Sequence, residues 1–320
     1  MSGAYSELKE LVSLRIQARD LALFRRRRSR SLLAGAGQSP FKGRGIDFEE
    51  VRAYQHGDDI RSIDWRVTAR RMKPHTKIFR EERERPVLVL LDQTHSLFFG
   101  SQLNFKSVTA AEICSLLSWS TLLHGDRIGG LVFNEDSLSE IRPKRSKQTL
   151  MHLLHKVEEH NRLLSTATMP TSMPGQSNGS YLTRALRHAR RVAHPGTNLF
   201  VISDFSQMDE EAWRHFARLS RHCEVMAIQV FDPLEANLPR PGLYDITNGM
   251  HRKTIDTRGS GLRLKYRNHY EQAVETLKDR FGSHRIPFLR VASDQDTATQ
   301  LMAHFGSVRS RVKTSGKAGG

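Results

Sequence analysis

The 320-residue sequence has only two cysteines, Cys114 and Cys223, and each lies in an apolar, periodic segment. This pattern is typical of small core residues in a reducing compartment rather than of a disulfide or zinc framework. No stretch approaches the roughly 18 consecutive apolar residues that a membrane helix needs. Charged residues such as Glu7, Lys9 and Glu10 stand where a signal peptide would be apolar. We therefore expect a cytoplasmic protein without a transmembrane segment.

Recognisable catalytic motifs are also missing. The sequence contains no Gly-x-x-x-x-Gly-Lys-[Ser/Thr] motif, which excludes ATP hydrolysis by a P-loop mechanism. No arrangement of Ser, His and Asp or of Cys and His indicates a nucleophile with its base. The sequence therefore predicts no catalytic residue.

Acidic residues are scarce relative to basic ones, with 34 Asp and Glu against 50 Lys and Arg and a formal net charge of +16. Such a surplus favours nucleic acid, an anionic membrane or an acidic protein partner, although a solvated basic surface gives the same count. Basic residues concentrate between Arg25 and Arg30 and in the tail over 307–320. Few aromatic residues interleave them, so base stacking has little support. Nucleic-acid binding remains an alternative.

Short apolar runs alternate with amphipathic segments from about residue 76 onward. This alternation predicts an α/β fold with a mostly parallel sheet and helices on both faces. The predicted buried strands are Pro86–Asp92, Arg127–Phe133, Asn198–Ser203, Glu224–Phe231 and Phe288–Val291. A hairpin is predicted over Leu243–Asp256.

Oxygen-bearing side chains cluster where predicted strands end. Asp92, Thr94 and Ser96 follow one apolar run at alternate positions, Asp204 follows another, and Ser180 opens a helix after a glycine. Parallel strands bring their carboxyl ends to one edge of the sheet, where ligands bind. Carboxylates and hydroxyls suit a hard cation such as Mg²⁺. The alternative is that these hydroxyls only cap turns and helix starts.

A longer block precedes the first buried strand: Arg52-x-Tyr54-x-x-Gly57-Asp58-Asp59-x-Arg61-x-Ile63-Asp64-Trp65-x-x-Thr68-Ala69-Arg70. Together with the Asp92-x-Thr94-x-Ser96 strand end, it closely resembles the domain of unknown function 58 (DUF58) family. These are von Willebrand factor A-like proteins that are commonly encoded beside MoxR-type AAA+ ATPases. The resemblance runs from about Gly43 to Asp204, and more loosely to the last helix.

The resemblance implies a Rossmann-like von Willebrand factor A domain with an N-terminal helical and strand-rich extension. The expected boundaries are a basic helical arm over 1–34, a family-specific segment packed on the A domain over 35–85, the A domain over 86–306, and a basic tail over 307–320 that its composition predicts to be disordered. It also implies a metal-ion-dependent adhesion site. Carried over by position, its ligands are Asp92, Thr94, Ser96, Ser180 and Asp204. Thr94 stands where Ser is usual and Ser180 where Thr is usual, and both keep the hydroxyl.

The function that follows is a non-enzymatic adaptor that binds acidic client surfaces through Mg²⁺. By resemblance, it works with a MoxR-type AAA+ ATPase in chaperone-like or complex-assembly work. A metal-dependent hydrolase built on Asp58, Asp59 and Asp64 is a further alternative. We favour a structural role for that region, with a turn at Gly57-Asp58 and Asp–Arg pairs that brace a buried Trp65.

Overall fold

The computed structural model describes residues 3–23, 46–55, 58, 60, 63–81, 85–165, 180–247 and 252–306. The chain divides into two compact units, one formed by Met1–Arg30 with Arg85–Gly320 and the other by Ser31–Glu84. The strands are β1 (Ile46–Ala53), β2 (His75–Glu81), β3 (Val87–Asp92), β4 (Ile128–Phe133), β5 (Leu138–Lys144), β6 (Asn198–Ser203), β7 (Glu224–Phe231), β8 (Leu243–Thr247), β9 (Arg252–Asp256) and β10 (Phe288–Ala292). The helices are α1 (Leu8–Ser13), α2 (Arg15–Ala18), α3 (Trp65–Arg71), α4 (Lys106–Leu123), α5 (Lys147–Leu163), α6 (Tyr181–Val192), α7 (Glu210–Leu219), α8 (Pro233–Ala236), α9 (Ser260–Ser283) and α10 (Thr297–Phe305).

Six strands of the larger unit form one sheet in the order β10-β7-β6-β3-β4-β5. All neighbours pair in parallel except β4 and β5, which pair antiparallel. Counted along the chain within this sheet, the order is 3-2-1-4-5-6 from the β5 edge, which is the doubly wound Rossmann order. The direction of winding reverses between β3 and β6. In such sheets, ligands bind beyond the carboxyl ends of the strands at this reversal.

Helices cover both faces of the sheet. Successive residues of a strand point to opposite sides, so each central strand contributes apolar side chains to a core on either face. Val87, Val89 and Leu91 of β3 belong to a core that they share with α4, α5 and α10. Leu88 and Leu90 belong to a second core with α6 and α7. The predicted α/β fold with helices on both faces is therefore confirmed. The predicted hairpin is also present, as the antiparallel pair β8 and β9.

The N-terminal helices pack into the core of the larger unit. Leu11 and Leu21 are buried in the same core as the sheet. The carbonyl of Leu11 accepts hydrogen bonds from Ser115 Oγ at 2.6 Å and Trp119 Nε1 at 3.3 Å, both on α4. The physical reason is that the apolar side of α1 needs a partner, and α4 supplies one. The basic run at 25–30 and the tail at 307–320 lie outside the described residues.

The smaller unit contains the antiparallel pair β1 and β2, and α3. Asp58 Oδ1 accepts from Arg52 Nη2 at 2.8 Å and its Oδ2 accepts from the backbone of Gln55 at 2.9 Å. Asp64 caps α3 by accepting from the backbone of Arg66 and of Val67. Asp58 thus forms an Asp–Arg pair and Asp64 caps a helix, whereas Asp59 lies outside the described residues.

Trp65 departs from the expectation of a buried brace. It opens α3 and is 67% exposed. The helix is instead anchored at its start by the Asp64 cap, so it does not require burial of the indole ring.

The sequence also predicted two cysteines in the core and no transmembrane segment. Cys114 and Cys223 are both buried free thiols. None of the helices in the described ranges combines the length and apolar content needed to cross a bilayer.

Candidate metal centre

Asp92, Thr94 and Ser96 lie together at the end of β3. Asp92 is 4% exposed, and its Oδ1 accepts from Thr94 N at 2.9 Å and Thr94 Oγ1 at 2.7 Å. The hydroxyls of Thr94 and Ser96 are 3.1 Å apart. The strand ends at Asp92, where Thr94 bonds its carboxylate and Ser96 lies beside Thr94.

Ser203 joins this group although the sequence analysis did not single it out. It is the last residue of β6, and its hydroxyl donates to Asp92 Oδ2 at 2.6 Å. The parallel pairing of Leu91 with Ile202 places the ends of the two strands side by side. A hydroxyl directly before Asp204 was the available sequence signal.

Asp204 is held by a buried lysine that the sequence analysis also missed. Its Oδ2 accepts from Lys106 Nζ at 3.0 Å, and its Oδ1 accepts from the backbone and hydroxyl of Ser206 at 3.0 and 2.8 Å. Lys106 is the first residue of α4, is 1% exposed, and also reaches Glu235 Oε1 at 2.6 Å. A lysine at the first position of a helix that has only one other charged residue was its signal in the sequence.

The two aspartates differ in their electrostatics. Burial, followed by the negative charge of Asp204, raises the pKa of Asp92 to about 7 against the hydrogen bonds from Ser203 and Thr94. Burial also acts to raise the pKa of Asp204, but the charge of Lys106 and the bonds from Ser206 outweigh it and leave that pKa below its usual value. Among the described residues, no Lys or Arg forms an ion pair with Asp92. The ionised form of the buried Asp92 carboxyl group therefore has no cationic partner among the described residues.

Ser180 lies at the start of α6, as predicted, and acts there as a helix cap. Its hydroxyl accepts from Thr183 N at 3.2 Å, and its backbone donates to Asp209 Oδ2 at 3.2 Å. Thr183 Oγ1 donates to the same Asp209 carboxylate at 2.8 Å. Within the described ranges, these hydrogen bonds do not extend to Asp92. Its role as a metal ligand stays a prediction.

The backbone next to Asp204 is strained. Phe205 has a φ of 56°, in the left-handed region that side chains other than glycine rarely adopt. Its ring packs against Phe281 with centroids 5.2 Å apart, and against Phe216 and Phe288. This aromatic packing holds the turn in which Asp204 faces Lys106. Such strain is concentrated at functional sites in proteins.

The donor set at this edge suits a hard divalent cation. Two carboxylates and the hydroxyls of Thr94, Ser96 and Ser203 offer only oxygen, which Mg²⁺ prefers. The burial of Asp92 supports a cation at this site, because a bound cation would balance the negative charge of the buried carboxylate. Across the described part of the chain, no group of three or more His, Cys, Asp or Glu side chains is placed to hold a metal. A cation here would therefore depend on hydroxyl ligands as well.

Comparisons with known proteins agree with the family motifs. Residues 50–276 match the family model described as protein of unknown function DUF58. The uncharacterized protein Rv1480 of Mycobacterium tuberculosis is 30% identical over 215 residues, which cover 66% of this chain and 64% of that protein. The match thus spans about 64% of the length of this relative.

Two of the similar solved structures align with this chain over most of their own length. The conserved hypothetical protein BatB from Bacteroides thetaiotaomicron has a TM-score of 0.41 and 18% identity, covering 68% of this chain and 93% of that chain. The VWA domain of SpRpn10 has a TM-score of 0.36 and 10% identity, covering 69% of this chain and 95% of that chain.

Proposed function

Since the chain belongs to the DUF58 family, we propose that it is a non-enzymatic, protein-binding adaptor that holds Mg²⁺ where β3 and β6 end. The proposed ligands are Asp92, Thr94, Ser96, Ser180 and Asp204. The observation that carries the proposal is the buried Asp92 carboxylate, which lies among hydroxyl groups without a cationic partner in the described residues.

Some residues of this site supply negative charge, and others orient the carboxylate that carries it. Asp92 and Asp204 supply two negative charges, while Thr94 and Ser203 fix the Asp92 carboxylate from both of its oxygens. Neutral hydroxyls complete the shell only in part. A bound Mg²⁺ would keep Lewis acidity for one more ligand, and a carboxylate from outside the chain suits it best. The client surface is therefore proposed to be acidic, which also accords with the net charge of +16.

The proposed partner is a MoxR-type AAA+ ATPase, with which the adaptor would act in chaperone-like or complex-assembly work. The support for this partner is the family resemblance carried by the Arg52–Arg70 block and the Asp92–Ser96 strand end. We place this work in the cytoplasm. The support for that location is that Cys114 and Cys223 are free thiols without a disulfide, as is usual in a reducing compartment.

Calorimetry and affinity capture together test the proposal. Mg²⁺ is titrated into EDTA-treated protein, and capture of the MoxR-type ATPase from the same organism is then measured with Mg²⁺ or with EDTA. We expect Asp92→Asn to abolish metal binding and to weaken capture as much as EDTA does. Asp296→Asn is the matched control, because Asn still caps α10 and Asp296, which bonds Thr299 of that helix, is not a proposed ligand. Capture that survives both EDTA and Asp92→Asn would contradict the metal mechanism.

A further inference from the structure

Lys106 occupies a position that two physical preferences disfavour. Lysine is rarely buried in full, and the N-terminal end of a helix carries partial positive charge that opposes a cation. Lys106 is 1% exposed and is the first residue of α4, whose first turn has no acidic residue. A side chain that departs from two local preferences is a candidate for a functional role.

Two carboxylates hold the Lys106 ammonium, and only one of them belongs to the proposed ligand set. Nζ lies 3.0 Å from Asp204 Oδ2 and 2.6 Å from Glu235 Oε1. Glu235 is itself fixed, since its Oε2 accepts from the backbone of Asp232 at 3.0 Å in the capping box of α8. The side chain of Glu235 is 32% exposed, whereas that of Asp204 is nearly buried. The ammonium thus keeps a carboxylate partner even where Asp204 is engaged elsewhere.

We propose that Lys106 competes with a divalent cation for Asp204, and that this competition keeps metal binding weak until a partner carboxylate completes the shell. The inference rests on the proposed function, because it requires a metal at Asp92 and Asp204. Two cations that share one buried carboxylate repel each other, and salt screens this repulsion little in the interior. Glu235 neutralises the ammonium when the metal takes Asp204, so the exchange leaves no unpaired charge on Lys106.

Direct titration with Mn²⁺ alone tests this competition in the full chain. Mn²⁺ prefers the same oxygen ligands, and electron paramagnetic resonance measures its free concentration. Lys106→Met removes the charge and keeps an unbranched apolar chain, so we expect its Kd for Mn²⁺ to fall by about tenfold or more. Lys106→Arg keeps the charge and should keep the weak affinity of the unmodified protein. Lys156→Met is the control, because it breaks an ion pair with Glu159 on the surface of α5.

The possible outcomes separate this inference from the proposed function. If Mn²⁺ binds in an Asp92-dependent way with equal Kd in the unmodified protein and Lys106→Met, the competition is overturned and the metal site stands. If no variant binds Mn²⁺, both proposals fail. If Lys106→Met binds Mn²⁺ more tightly than the unmodified protein, or is the only one of the three proteins that binds it, the competition is supported. Weak binding by Lys106→Arg, similar to that of the unmodified protein, supports it as well.

Removing Lys106 leaves buried carboxylates without their cation, so thermal unfolding must first show that Lys106→Met is folded. If it is not, Glu235→Gln carries the test. This change removes the negative charge of the second partner, leaves the ammonium more dependent on Asp204, and should raise the Kd for Mn²⁺ by about tenfold. Glu224→Gln, which breaks the exposed pair with Arg85, is its control. An unchanged Kd in Glu235→Gln, or equal changes in both variants, overturns the competition.

Discussion

The sharpest prediction is that Asp92→Asn stabilises the metal-free protein at neutral and alkaline pH. The pKa of Asp92 rises from 3.8 to about 7 on folding, mainly because the carboxylate is buried. Each pH unit corresponds to about 1.4 kcal/mol, so ionised Asp92 costs up to about 4 kcal/mol of the free energy of unfolding. Asparagine has the same shape and can still accept from Thr94, and the Ser203 hydroxyl can turn to accept from the new amide.

The sign of the pH dependence follows from linkage. Between pH 3.8 and about 7 the folded protein holds a proton on Asp92 that the unfolded chain releases, so stability falls as pH rises through this window. The cost is absent below pH 3.8 and complete above about pH 7. The stabilisation by Asp92→Asn should therefore reach up to about 4 kcal/mol at pH 8 and shrink to roughly 1–2 kcal/mol at pH 5.

Urea unfolding in EDTA at these two pH values measures the effect, with the midpoint and slope fitted together. Saturating Mg²⁺ should then stabilise the unmodified protein and leave Asp92→Asn unchanged, because only a folded site binds the metal. Asp209→Asn is the control of opposite sign, since backbone and side-chain hydrogen bonds lower the pKa of Asp209 despite its burial. If Asp92→Asn were less stable than the unmodified protein at pH 8 in EDTA, ionised Asp92 would be stabilising, and the main support for a cation at this site would be lost.

Other predictions concern the parts of the chain outside the candidate metal centre. Leu11→Ala should lower the free energy of unfolding by about 2–5 kcal/mol, whereas Ile16→Ala, at a 73% exposed position on the same N-terminal segment, should change it little; urea unfolding compares them. Trp65→Ala should cost no more than about 0.5 kcal/mol in the same assay, because the ring is exposed, and a loss of several kcal/mol would show that Trp65 is buried in solution. Nucleic-acid binding through Arg25 to Arg30 should be weak and should decrease steeply with salt, so tight, sequence-selective gel shifts at physiological salt would favour the nucleic-acid alternative.

Features that depend on local pattern were accessible from the sequence. The strand Asn198–Ser203 was predicted with its observed ends, because an apolar run between turn residues has few other ways to be buried. The grouping of Asp92, Thr94 and Ser96 was predictable for the same reason: residues two apart at a strand end stay close in any fold that buries the strand.

The tertiary structure decided which distant groups meet. Lys106 lies 98 residues from Asp204 and 129 from Glu235 in the sequence, yet one ammonium joins them because α4, β6 and α8 converge at the same edge of the sheet. The burial of Leu11 against α4 is likewise a contact between segments about a hundred residues apart. A sequence records the propensity of each segment, but the charge and burial of a side chain depend on every segment that packs around it. The sequence therefore determined the strands and one cluster of oxygen donors, and only the fold placed a lysine ammonium beside Asp204.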